Sequence, residues 1–362
     1  MPKTMLRRAG AILCLALAAS PVSSQVGTNR PDPVSGAKPT IVEHVKIHGR
    51  ALEGNLEGDA VDRDAVIILP PGYAADTSRR YPVVYALHGY SIGAEQWTQE
   101  IRVPQTVEGA FAKGVREMIV VLPDAKTVHN GSMYSNSITT GNFEDYVSRD
   151  VVAYMDAHYR TIADRNSRGL VGHSMGGYGA SRIGMKHPEV FGALYIMSPC
   201  CMSARGAGGP PGAPAGTAPA EDPLAAVKTP ADAEKLPFGL RAQLASAAAW
   251  SPNPKKPPLY LDLPVGADRD AVLAKWAANA PLAFVDQYVQ NLKQYRAIAM
   301  DVGDQDGLKV DAGKLHDLLD IYGVPNSFTI YPGTHTSNVA FRFQDFVMPF
   351  FSRNLSFDQP RR

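Results

Sequence analysis

The sequence predicts an α/β protein with a mostly parallel central sheet and helices on both faces. Three observations predict it. Short, continuous apolar runs recur along the chain, as in strands covered on two sides. Segments with helical periodicity separate them. And Gly172-His173-Ser174-Met175-Gly176-Gly177 stands where a strand should turn sharply into a helix.

The elements follow in order. Residues 25–40 are polar with three prolines and are expected to be partly disordered. Asp64-Ala65-Val66-Ile67-Ile68-Leu69-Pro70 reads as a strand, and Tyr81–Leu87 and Glu117–Leu122 as two more. A helix is expected from Asn142 to Tyr159, with Phe143, Tyr146, Val147, Val151, Tyr154 and Met155 at helical spacing. Glu144 and Asp145 are read as stabilising its N-terminus. The strand into Ser174 and its helix come next, with Pro188 closing the helix, followed by a strand at Gly192–Ser198. From Ala204 to Ala220, 15 of 17 residues are Ala, Gly or Pro, too little apolar bulk to pack. Residues 203–290 therefore read as an insertion over the sheet, a cap or lid, with Trp250, Trp276 and Phe284 in its core or lining an aryl or sugar pocket. The sheet resumes at Arg296–Val302. A helix at Lys309–Tyr322, a strand at Ser327–Tyr331 and a terminal helix at about 338–351 follow, the last turning Phe341, Phe346, Phe350 and Phe351 inward. One domain, 41–362, is expected.

Composition narrows the function. The 362 residues are 45% hydrophobic and 20% charged, ordinary for one large core. With 36 Lys and Arg against 35 Asp and Glu, no field would recruit nucleic acid or an anionic membrane. Lys3, Arg7 and Arg8 precede the apolar run Ala9–Ala19, and small residues follow to Ser24. This pattern predicts a signal peptide over 1–24, cut after Ser24, with export to the periplasm or the medium. Eleven apolar residues are too few to span a bilayer, so no stable membrane span is expected. Cys14 lies in that leader. Cys200 and Cys201 are adjacent and read as buried thiols at a strand end, since a bridge between neighbours is strained. No metal or other cofactor is expected: the nine histidines show no ligand spacing.

Gly172-His173-Ser174-Met175-Gly176 fits G-x-S-x-G. Flanked by a strand and a helix, it resembles the nucleophile elbow of α/β-hydrolases. Ser174 is the candidate nucleophile and Met175 a candidate backbone N–H donor to an oxyanion. A serine hydroxyl needs a base, and the base needs a partner to hold its tautomer. In α/β-hydrolases the acid and then the histidine follow the serine. His335, on a Pro-Gly loop after the last strand, suits the base. His316 lies within a predicted helix, and His187 is too close to Ser174 along the chain. Asp304 and Asp306 both lie on the loop after Val302, and the spacing from Gly303 favours Asp306. Tyr90, after the strand ending at Leu87, offers the second N–H. His88 reads as structural, its ring bonding backbone.

The chain resembles the esterase D group of α/β-hydrolases over about residues 60–200 and 290–352. The resemblance rests on Leu87-His88-Gly89, Asn142-Phe143-Glu144-Asp145-Tyr146, Tyr159-Arg160-Thr161, the elbow, the Gly303-to-Asp306 spacing and Gly333-Thr334-His335. It implies Ser174 as nucleophile, Asp306 as acid, His335 as base, and Tyr90 and Met175 as oxyanion donors. It also implies a small-molecule or carbohydrate ester as substrate. The expected function is an exported serine carboxylesterase. The alternatives are an acyltransferase of the mycolyltransferase type, using a sugar or alcohol acceptor, and a non-catalytic exported binding protein on a hydrolase fold.

Overall fold

The computed structural model describes residues 27–203 and 223–358. The predicted leader and the Ala204–Ala220 stretch lie outside the described residues. Among the described residues, eight strands form one sheet: β1 (Ile41–His48), β2 (Asp62–Leu69), β3 (Val83–Leu87), β4 (Ile119–Pro123), β5 (Arg168–His173), β6 (Ala193–Met197), β7 (Ala297–Gly303) and β8 (Ser327–Tyr331). Their order is β1-β2-β4-β3-β5-β6-β7-β8. From β4 to β8 every neighbouring pair is parallel. β3, β4 and β6 are buried at every position, because helices cover both faces.

Two strands depart from the sequence reading. β2, whose apolar run resembles the parallel ones, pairs antiparallel with both β1 and β4. Burial on two faces leaves the same apolar signature whichever way the chain runs. β1 is a strand that the sequence did not announce. Along this edge strand only Ile47 is buried and Glu43 and Val45 are half-buried, with exposed residues between them, a pattern that a continuous-run criterion passes over.

The segment before β1 also corrects an expectation. Residues 27–40 are strapped to the body rather than disordered. Asn29 N–H donates to Ser337 O at 2.6 Å, Arg30 Nε to Glu100 O at 2.7 Å, and Gln105 Nε2 to Pro31 O at 2.8 Å. Glu108 Oε1 accepts from the Thr40 amide at 2.8 Å. Two of these four bonds use side chains of the body, Gln105 and Glu108.

Helix α1 (Ala94–Glu100) and helix α2 (Val103–Ala112) cover one face with a terminal helix over 339–354. The middle turn of that helix, Phe343–Val347, is wound wider than an α-helix. The wider turn shifts the phase of the inward stripe. Phe343, Val347 and Phe351 are fully buried, whereas Phe341 and Phe346, expected inside, are exposed. The helix over 143–158 has the same widening at Tyr146–Val151 and buries Phe143, Tyr146, Val147, Val151 and Met155.

The described part of the insertion sits against the body. Ser137 Oγ donates to Ala248 O at 2.6 Å and Thr139 Oγ1 to Tyr260 O at 2.6 Å. Trp250 and Trp276 meet edge to face, their ring centroids 6.2 Å apart, and both are buried with Phe284 in the core under these helices.

Candidate active site

The elbow follows from sterics. β5 ends at His173, Ser174 takes φ 61° and ψ −114°, and helix α3 (Met175–Lys186) begins at once. A positive φ at a residue with a side chain is strained, and it persists only where the surroundings over-determine it. Here they do. A Cβ on Gly172 would lie 2.0 Å from the carbonyl oxygen of Gly176, and a Cβ on Gly176 would lie 2.0 Å from that of Leu87. The strand, the turn and the helix close on one another only because both positions lack side chains. The Ser174 amide then donates to Met197 O at 3.1 Å, fixing the turn to β6.

The three residues expected to meet are in contact. His335 Nε2 is 2.9 Å from Ser174 Oγ, and His335 Nδ1 is 2.7 Å from Asp306 Oδ2. A carboxylate only accepts, so Nδ1 carries the proton and Nε2 is left to accept from the serine hydroxyl. Asp306 is buried, while the His335 side chain is 34% exposed. Burial pushes the Asp306 carboxyl up. The hydrogen bond and charge of His335, with the Leu308 amide at 2.9 Å, outweigh it and hold the group below its ordinary value. Asp304, the other contender, does not reach the imidazole. Its Oδ1 accepts from the Gly333 amide at 2.9 Å and so ties down the loop that carries His335.

The candidate oxyanion donors flank the serine. A Cβ on Gly89 would lie 3.4 Å from Ser174 Cβ, so the loop leading to Tyr90 abuts Ser174. Met175 opens α3, and the amides of a first helical turn have no carbonyl one turn back to bond. His88 fixes the Tyr90 loop from beneath. Its Nδ1 donates to Gly89 O at 2.9 Å, and its Nε2 accepts from the Ala125 amide at 2.8 Å. Tyr134 OH donates to His88 O at 3.1 Å. Burial pushes the His88 pKa down and favours the neutral ring these bonds require.

Sequence reasoning missed two contributors, His173 and Phe238, and read a third, Glu144, only as a helix-end charge. His173, a variable letter of the motif, donates from Nε2 to His335 O at 2.8 Å. Burial and the neighbouring His335 push its pKa down to about 3. Glu144 is more than a helix-end charge. Its Oε2 accepts from Arg182 Nε at 2.7 Å and Lys186 Nζ at 3.2 Å, and its Oε1 faces His187 Nε2 at 3.2 Å. Burial pushes the Glu144 carboxyl up, but His187, Arg182 and Lys186 outweigh it and hold it down at about 2. The cluster locks the elbow helix onto the 143–158 helix. Phe238, finally, packs on Tyr90. It is 57% exposed, and its ring meets that of Tyr90 edge to face, centroids 5.4 Å apart.

A mostly parallel sheet in this strand order, with a serine on a strand-to-helix elbow, defines an α/β-hydrolase. Solved structures share the fold. A ferulic acid esterase superposes with TM-score 0.61 at 22% identity, covering 88% of this chain and 100% of that one. The S-formylglutathione hydrolase of Staphylococcus aureus superposes with TM-score 0.56 at 16% identity, covering 88% and 99%. A ferulic acid esterase from Anaeromyces mucronatus, in complex with ferulic acid, gives 0.54 at 18% identity, covering 92% and 97%. Residues 61–346 match the family model described as "Putative esterase", and the chain belongs to that esterase family. It is 28% identical over 138 residues to an endo-1,4-beta-xylanase/feruloyl esterase of Xylanibacter ruminicola, 37% of this chain and 19% of that protein. It is 29% identical over 125 residues to an esterase of Mycobacterium tuberculosis, 33% of this chain and 25% of that protein. The matches thus span a quarter or less of these relatives' own length.

Proposed function

We propose that the protein is a serine carboxylesterase that works through an acyl-enzyme. The observation that carries this reading is the position of the His335 ring, in contact with Ser174 Oγ on one side and Asp306 on the other. Ser174 Oγ attacks the ester carbonyl carbon, and its proton passes to His335 Nε2. Asp306 holds the Nδ1 proton in place and stabilises the imidazolium that forms. The N–H groups of Tyr90 and Met175 bind the oxyanion. His335 then gives its proton to the departing alcohol. Water, deprotonated by the same nitrogen, attacks the acyl carbon and releases the acid and free Ser174.

The aromatic pair Tyr90–Phe238 beside the oxyanion loop, and the relatives named feruloyl esterases, favour esters with an aryl acyl group. The test is turnover of p-nitrophenyl acetate and methyl ferulate by the parent and by Ser174→Ala. The variant should lose several orders of magnitude in kcat, and an unchanged rate overturns the proposal. Water is the proposed acceptor, so a sugar or alcohol added to the assay should leave the free acid as product.

Export is part of the same reading, carried by the charged and apolar pattern of residues 1–24. N-terminal sequencing of the protein recovered from its native host should begin at Gln25. An intact N-terminus in the cytoplasm overturns it.

A further inference from the structure

β6 leads into a tight loop, Ser198-Pro199-Cys200-Cys201, that lies against the elbow. Ser198 and Cys201 both take left-handed backbone conformations, with φ of 41° and 59°. Two such residues within four, neither a glycine, are uncommon, and strain of this kind gathers at functional sites. The loop is pinned at both ends: Ser198 N–H donates to Asp301 O at 2.8 Å, and Cys200 N–H donates to Ser174 O at 3.1 Å.

In extended chain, adjacent side chains point to opposite sides. The left-handed turn at Cys201 breaks that alternation and brings the two sulfurs together, with Cys200 Sγ 2.7 Å from Cys201 Sγ. The two sulfurs are thus neighbours, and the residues are thiols. Neither is fully buried, contrary to the sequence expectation.

We propose that Cys200 and Cys201 form a reversible dithiol–disulfide site, oxidised by a low-molecular-weight disulfide such as oxidised glutathione. One cysteine thiolate attacks the glutathione disulfide, forms a mixed disulfide and expels one glutathione thiolate. The neighbouring cysteine thiolate attacks the protein sulfur of that mixed disulfide, closes the Sγ–Sγ bond and expels the second glutathione thiolate. Two electrons pass from the cysteine pair to glutathione, and the two cysteine protons end on the two glutathione thiols. Adjacent Cα atoms are about 3.8 Å apart, closer than the roughly 4.4–6.8 Å usual for disulfides, so the eight-membered ring is strained and readily reopened. The bridge would sit directly behind the backbone of Ser174.

The test is a mass measurement that needs no turnover, so its outcome is separate from that of the esterase reading. The full chain is incubated with oxidised glutathione, alkylated with iodoacetamide, digested without reduction and analysed by mass spectrometry. The peptide holding both cysteines should be two hydrogens lighter and unalkylated, and dithiothreitol should return it to two alkylated thiols. Cys200→Ser and Cys201→Ser should each retain one glutathione on the remaining sulfur, because the resolving thiol is gone. Two alkylated cysteines after oxidant, glutathione retained on the parent, or a bridge between chains would overturn the proposal.

Discussion

His173 Nε2 donates to the main-chain oxygen of His335 at 2.8 Å, so the residue before Ser174, the proposed nucleophile, holds the backbone of His335, the proposed base. The two rings lie 4.8 Å apart. Because His173 is buried and neutral, it fixes the loop without placing a second charge beside an imidazolium. The bond joins the two ends of the proposed relay, β5 and the loop after β8. Replacing His173 by Ala should lower kcat about 10- to 100-fold, with KM nearly unchanged, since sub-ångström positioning of a base is worth that much. His173→Gln, which keeps a donor, should recover part of it. Steady-state kinetics on p-nitrophenyl acetate decides, and a fall confined to KM would show that His173 acts on substrate instead.

Asp306 and Asp304 separate by the same kind of experiment. Asp306 holds the imidazole tautomer, and Asp304 holds the Gly333 amide. Asp306→Asn offers His335 the wrong partner and should cost about four orders of magnitude in kcat, as loss of the correct tautomer does in serine hydrolases. Asp304→Asn keeps an acceptor oxygen for Gly333 and should cost less than about tenfold. Equal losses would mean that the loop, rather than the carboxylate, is what matters at Asp306.

The glycines of the elbow make a stability prediction. At Gly176 the obstruction is the Leu87 carbonyl, backbone at the end of β3, which cannot swing aside. Gly176→Ala should destabilise the fold by several kcal/mol, about 3 or more, as overpacking against fixed backbone does. Gly239, whose added Cβ meets nothing within 4 Å, is the control and should change little. Urea unfolding followed by circular dichroism measures both, and a Gly176→Ala protein with the parental midpoint would refute the steric account.

Acid sensitivity follows from Glu144. Its folded pKa is depressed to about 2, against an ordinary 4.5. A depressed carboxyl contributes stability in full above its unfolded value and loses it as pH falls through the folded one. The contribution should therefore fade between about pH 4.5 and pH 2. Glu144→Gln leaves Arg182 buried without its countercharge, a loss of about 3 kcal/mol at neutral pH. It should also flatten the pH dependence of the melting temperature over that window, which thermal scans at successive pH values would measure.

What the sequence discloses depends on how local the cause is. The elbow is legible because one of its glycines, Gly172, answers a contact only four residues along the chain, with Gly176, although Gly176 itself answers the distant Leu87 carbonyl. The strands β3, β4, β6 and β7 are legible because burial on both faces leaves unbroken apolar runs, and β8, an edge strand with only Tyr331 buried, shows instead through its β-branched and aromatic residues. β1 hides because half of it faces water, and the inward turn of Phe341 and Phe346 is misread because one wide helical turn shifts the phase. His173 and Glu144 hide for another reason. Their partners lie 162 and 38 residues away, at His335 and Arg182, and no spacing rule reaches that far.

Phe238 carries the prediction about substrate. It belongs to the insertion, yet its exposed ring stands over Tyr90, whose amide is a candidate oxyanion donor. An aryl acyl group bound at Ser174 and directed toward this corner would meet the ring, whereas an acetyl group is too short to reach beyond the oxyanion loop. Aromatic pairs contribute about 0.5–1.5 kcal/mol beyond area burial, which corresponds to roughly 2- to 13-fold in affinity. Phe238→Ala should therefore raise KM for methyl ferulate by about that factor and leave kcat/KM for p-nitrophenyl acetate within about twofold. Phe238→Tyr, which keeps the ring, should preserve the parental ratio between the two substrates. If Phe238→Ala depresses both substrates equally, the ring supports the Tyr90 loop rather than the acyl group, and the proposed aryl preference loses its structural basis.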